Sequence, residues 1–234
     1  MNNYLLELRI RRAFGRFEPL DAPVLALEEL KVAYIPVPKA ANSSVRSALM
    51  ASIGNEDAEL LSVQELHSST RSMLQPASKF FSKPRADWHV FTVVRNPSSR
   101  ARSAWQNKLI DPPEIFGPLK RMGIRDRMSF EDFLKTCADW PSWALNDHFM
   151  PQSLYLSTVL NFSDLAVLHV ETLSQDWPKL RDELIARGAT SVPLTLGRKN
   201  VSAVPETPEI SEIARKTLNS LYGKDYDAFD YDRP

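Results

Sequence analysis

The chain has 234 residues with 29 Lys and Arg against 29 Asp and Glu, so its formal net charge is zero. At 43% hydrophobic and 25% charged it can bury a core, shows no compositional mark of wholesale disorder, and lacks the positive excess of a chain built to coat nucleic acid or an acidic membrane. A single domain over residues 1–234 is the expectation, with residues 1–30 peripheral. Cys137 is the only cysteine, so no intrachain disulfide is available and a cytoplasmic setting is expected. The longest apolar stretches, such as Leu165 to Val170, fall far short of the roughly 18 residues of a membrane helix, and residues 1–17 are amphipathic without a signal-type run. No membrane anchor is expected. Seven glycines stand where average usage of about 7% would give about sixteen, so any phosphate-cradling loop has to be built with few of them.

In chain order, Val32-Ala33-Tyr34-Ile35 is a short β-favouring run that stops at Pro36 and Pro38. Asn42-Ser43-Ser44 then offers capping side chains before Val45, Ala48, Leu49 and Ile53 at helical spacing. The same strand, turn, helix order returns at His89 to Val94, a nearly continuous apolar run, followed by Arg95-Asn96-Pro97 and a helix from about Ser98 to Leu109. Ile110 to Arg127 reads as a loop, and Ser129 to Ala138 as a helix capped by Ser129 and Asp132. Leu165 to Val170 is a third strand, leading to a helix that Gly188 ends, with Thr172 and Gln175 spaced as a capping box. Ser191 to Pro208 is a second long connection, and a last helix after Thr207-Pro208 is expected to end at Gly223. Alternating strands and helices predict an α/β fold with a central parallel sheet flanked by helices.

In such sheets ligands bind at the carboxyl ends of the strands, which puts the turns at Lys39 and Arg95 on the functional edge. A turn that opens a helix aims backbone N–H groups and the positive helix end at an anion, and Lys39 adds a mobile charge. The Walker spacing GxxxxGK[ST] is absent, and a surface lysine at a capped helix start is the alternative if this turn stands alone. At the second turn, Arg95 follows the strand, while Arg100, Ser103 and Asn107 share one helix face. An arginine fork with a serine hydroxyl suits a phosphate monoester. Two anion-binding turns imply a ligand with two separate anionic groups.

Pro38-Lys39 before a Ser-rich helix start, paired with the pattern R-[DN]-P-x-x-R-x-x-S-x-[YW] from Arg95 to Trp105, resembles the sulfotransferases that use 3′-phosphoadenosine-5′-phosphosulfate (PAPS). It is most similar to their carbohydrate branch, which includes the chondroitin 4-O type. The resemblance continues in Asn107-Lys108-Leu109, Ser129 to Phe133, Asn146 to Gln152, Val170 to Leu173 and Tyr222 to Tyr231. It implies the P-loop-NTPase-like sulfotransferase fold and transfer of a sulfuryl group from PAPS to an acceptor hydroxyl, on a glycan or a small glycosylated molecule, with 3′-phosphoadenosine-5′-phosphate (PAP) as product. By the same resemblance Lys39 would contact the bridging oxygen, Ala41, Asn42, Ser43 and Ser44 would hold the 5′-phosphosulfate, and Arg95 and Ser103 would hold the 3′-phosphate. Arg198 in the late loop is a further candidate for that phosphate, with a solvated turn as the alternative. Family members often carry glycine where this chain has Ala41, and Ala41 suits close backbone approach only if its φ stays negative.

An acceptor hydroxyl has to lose its proton as the new S–O bond forms, so a base titrating near neutrality is sought among the four histidines. His89 and His169 lie in strands and read as core. His67 sits in the segment where similar sulfotransferases carry a base, and His148 lies beside Asp147 in a matching motif; His67 ranks slightly ahead. Trp88 and Trp105 could stack on adenine but read first as core, Glu171 as capping, and Cys137 as a buried small hydrophobe. No residues show metal-ligand spacing, and sulfuryl transfer requires no metal. The competing readings are a nucleotide-dependent small-molecule kinase and a non-catalytic nucleotide- or glycan-binding module.

Overall fold

The computed structural model describes residues 21–162, 164–197 and 210–234. They divide into two compact units, one of residues 21–95, 158–162 and 164–197, the other of residues 96–157 and 210–234.

The first unit contains the whole sheet. Strands β1 (Pro23–Leu27), β2 (Val32–Ile35), β3 (Leu74–Pro76), β4 (His89–Val94) and β5 (Leu165–His169) lie in the order β3-β1-β2-β4-β5. The three strands read from the sequence, β2, β4 and β5, are the parallel ones, with Ile35 opposite Thr92 and Val94 opposite His169. Two antiparallel strands extend them: β1 pairs with β2 and with β3. The sheet is therefore mixed rather than wholly parallel. Pro23–Leu27 lies within the stretch expected to be peripheral, and Leu74–Pro76 is three residues with a proline, an edge strand with almost no periodic signal.

Helices α1 (Asn42–Ser52) and α8 (Leu173–Ala186) cover one face. Val45, Ala48 and Leu49 of α1 and Trp177, Leu180 and Leu184 of α8 pack with Leu25, Tyr34, Phe91 and Val93. The other face, through Val24, Ala33, Ile35, Val90 and Val94, is fully buried as well. Burial on both faces explains why these strands read as continuous apolar runs instead of alternating ones. Two short helices, α2 (Val63–Ser69) and α3 (Ala77–Phe80), complete this unit. A reciprocal capping box between Ser62 and Glu65 opens α2.

The second unit is helical. Helix α4 (Pro97–Trp105) begins where Asn96 Oδ1 accepts from the N–H groups of Ser98 and Ser99, and it runs into a π-helical turn, Gln106–Ile110. The stretch expected as a loop holds α5 (Gly117–Arg121), kept ordered by the buried side chains of Ile115, Leu119, Met122 and Ile124. Helix α6 (Phe130–Ala138) is capped by Ser129 as expected; α7 (Gln152–Tyr155) is a single turn, and α9 (Glu212–Ala228) closes the unit.

Several expected end signals resolve differently. Helix α1 is not capped by Asn42, Ser43 or Ser44: its N-cap is Ala41, with no side-chain hydrogen bond. Thr172 caps α8 without a capping box, because its backbone is not extended and its hydroxyl donates to Asp176 instead, at 2.7 Å. Helix α9 is two helical stretches joined at a kink, with non-helical φ and ψ at Tyr222, so the first stretch ends one residue before Gly223, close to the expected end, and a second continues to Ala228. Gly188, at φ 97°, does end α8.

Candidate functional site

In the first unit the turns after β2 and β4 lie at the carboxyl ends of adjacent parallel strands. Lys39 and Ala41 both take left-handed backbone, with φ of 69° and 55°. The condition on Ala41 is therefore not met by negative φ: the loop adopts the conformation a glycine would supply, with an alanine in it. Such a residue costs on the order of 1 kcal/mol, and persists because the surroundings hold it. Ala40 N–H donates to Val37 O at 3.3 Å, and Val45 N–H to Ala41 O at 3.1 Å, so the loop is closed from both sides. A turn of alternating left-handed residues at a helix start turns backbone N–H groups toward one concavity, an arrangement suited to an anion. Arg95, half-buried, reaches this loop, its Nη1 donating to Lys39 O at 3.4 Å. The two predicted cations are thus brought together within one unit.

Asn42 was expected at the ligand and is held from behind. Buried Arg46 donates from Nε to Asn42 Oδ1 at 2.9 Å and from Nη1 to Thr70 Oγ1 at 2.9 Å. The bond from Arg46 orients the Asn42 amide, which keeps its two NH₂ donors to offer an anion. Thr70 is the C-cap of α2, so Arg46 also ties the loop helix to the helix that carries His67. His67 is exposed, in the last turn of α2. Nothing in the sequence singled out Arg46, since an arginine at i+4 from an asparagine reads as an ordinary surface pair. Ser43 and Ser44 are half-buried in the first turn of α1.

In the second unit, Ser103 is buried on α4, and Arg100, one turn before it, is almost completely enclosed. His148 is 28% exposed, and its Nδ1 lies 2.8 Å from both Asn146 Oδ1 and Asp147 Oδ1. Both partners are acceptors, so Nδ1 carries a proton, and in the neutral form of the ring the lone pair is at Nε2. Asp147 titrates below the usual carboxylate range: partial desolvation opposes ionisation, and the hydrogen bond and charge of His148, with a smaller contribution from Lys108, outweigh it. Of the aromatic candidates, Trp88 is a core residue, buried edge-on against Phe80, and Trp105 is half-buried, donating from Nε1 to Met128 O at 2.9 Å and packing edge-on against Phe130. Burial raises the Cys137 thiol pKa far above its ordinary value, in keeping with a packing role. Arg198 lies outside the described residues. Among the described residues no three His, Cys, Asp or Glu side chains cluster to hold a metal ion, and no helix is long and apolar enough to cross a membrane.

The sequence profile of the sulfotransferase family matches residues 24–232, nearly the whole of the chain, which therefore belongs to that family. Comparison with curated proteins and with solved structures gave no match. The mixed sheet with parallel central strands flanked by helices is the α/β sulfotransferase fold, and membership assigns the reaction class: sulfuryl transfer to a hydroxyl-bearing acceptor.

Proposed function

We propose that the protein transfers a sulfuryl group from PAPS to a carbohydrate hydroxyl. The observation that carries this reading is the glycine-free turn Pro38 to Ser44, left-handed at Lys39 and Ala41, with Arg95 against it at the ends of two adjacent parallel strands. Its donors suit the group: two cations, a helix start without a side-chain cap, and an asparagine amide whose oxygen is already engaged. PAPS, when bound, supplies the sulfuryl group in an activated phosphosulfate linkage. Lys39 would meet the negative charge that builds on the bridging oxygen as its bond to sulfur breaks, while Ala41 to Ser44 would hold the 5′-phosphosulfate with amides and hydroxyls. Arg95 is proposed to hold the 3′-phosphate, with Ser103 in the role its motif implies. For the base we favour His148 over His67, because its Nδ1–H is engaged by two oxygens and Nε2 retains the lone pair needed to take the acceptor proton.

Titration calorimetry with PAP and with ATP, followed by incubation with sulfur-labelled PAPS and a panel of glycans, tests the reading. Binding of PAP in preference to ATP, and label on a glycan, is the expected result. Tight ATP binding with none for PAP would overturn it in favour of a kinase, and PAP binding without transfer to any glycan would favour a binding module.

A further inference from the structure

The irregular segment that carries His148 is gripped by buried groups that the proposed chemistry does not use. Arg100 donates from Nη1 to Met150 O at 2.7 Å and from Nη2 to Asp147 O at 3.0 Å, so one guanidinium spans the two sides of His148. The Tyr222 hydroxyl donates to Phe149 O at 2.8 Å. Asp225 accepts from Gln152 N–H at 2.7 Å, and from Ser153 N–H at 2.8 Å and Ser153 Oγ at 2.6 Å. These ties reach the backbone of five of the seven residues from Asp147 to Ser153. Arg100, Tyr222 and Asp225 are at most 1% exposed.

The sequence explains why outside help is needed here. Pro151 is the N-cap of α7 and has no side-chain donor or acceptor, so the first amides of that single turn have no local partner. Asp225 caps them from another helix, and its two oxygens serve two different amides, which an asparagine could not reproduce. Burying a guanidinium and a carboxylate is costly, and replacing such groups with well-packed apolar residues is often neutral or stabilising, so stability alone does not account for them. What a forked cation and a bidentate anion provide is geometry: each fixes two points of the backbone at once.

We infer that Arg100 and Asp225, assisted by Tyr222, are positioning residues that hold the 147–153 backbone so that the His148 ring keeps Nδ1–H against Asp147 and Asn146 and presents Nε2 as the acceptor. The inference rests on the reading of His148 as base, but its consequence for the ring can be measured without turnover.

The test is nitrogen-15 NMR of the histidine rings, the His148 signals being the ones among four histidines that vanish in His148→Ala. Wild type, Asp225→Asn and the milder Tyr222→Phe are compared, with Tyr222→Phe keeping the test open if the first variant does not fold. The neutral His148 ring of wild type is expected as the Nδ1–H tautomer, and the variants as a mixture of both tautomers. In the glycan assay the variants should lose roughly tenfold or more in turnover while PAP affinity stays within about twofold. A wild-type ring protonated at Nε2, or a tautomer unchanged in both variants, overturns the inference. If wild type transfers no label and the tautomer still responds, the positioning stands and the sulfotransferase reading of His148 fails.

Discussion

The turn after β2 and the segment around His148 solve the same problem, holding functional groups on irregular backbone, with different shares of local and distant support. The turn is short and local. It is anchored within a few residues by Ala40 N–H to Val37 O and Val45 N–H to Ala41 O, and it tolerates two left-handed non-glycine residues. The His148 segment has local ties as well, the N–H groups of His148, Phe149 and Met150 all donating to Asn146, but it is held in addition from a distance by buried charges, with Asp225 lying 73 residues from Gln152 in the chain. A loop next to a strand end inherits rigidity from the sheet, whereas a segment between short helices has to have it supplied.

If this contrast is right, the largest loss comes from the base: His148→Ala should reduce transfer by roughly 10²–10⁴ and leave PAP binding intact, while His67→Ala stays within a few-fold of wild type. Activity surviving in His148→Ala and lost in His67→Ala would reverse the assignment. Next come the two cations of the turn. Lys39→Ala should lower turnover by roughly 10²–10³ and change PAP affinity less, and Arg95→Ala should weaken PAP binding by roughly tenfold to a hundredfold with a smaller effect on turnover at saturation. The opposite order, measured by calorimetry and initial rates, would break the division of roles between them.

A smaller effect sharpens the claim that the turn stores strain. Ala41→Gly should raise stability by a few tenths to about 1 kcal/mol, the relief of left-handed strain being partly offset by the greater freedom of glycine in the unfolded chain. A fall in melting temperature would show that the Ala41 methyl packs usefully. The smallest is a pH effect in the sheet unit. Burial lowers the His89 pKa below its ordinary value, Glu183 opposing and Arg187 adding to the shift. Between that lowered value and 6.5 the unfolded state binds more protons, so stability is fully present above about 6.5 and is lost as pH falls through it. In His89→Gln, denaturant midpoints at about pH 5 and pH 7 should lie closer together than in wild type.

Strands β2, β4 and β5 and the turns behind the first two were legible because their signals are local: apolar runs cut off by proline, or by an arginine two residues before a proline. The antiparallel pair β1 and β3 was not, since three residues ending at Pro76 carry no periodicity. Gly223 marked the break at Tyr222 to within one residue, but not the second helical stretch that continues to Ala228. Arg100 and Ser103 stood out as members of a motif, but the partners of Arg100 did not. Which carbonyls a guanidinium meets depends on how α4 lies against residues 147–150.

By itself the sequence determined the family, the parallel heart of the sheet and the cations at its edge, because each is written in residues close together in the chain. The left-handed backbone of Ala41, the tie of Arg46 to Thr70, and the grip of Arg100, Tyr222 and Asp225 on the His148 segment were decided only by the tertiary structure. They join residues from distant stretches or depend on φ, and a buried polar group takes its partner from whatever the fold brings within about 3 Å, not from what lies nearby in the chain.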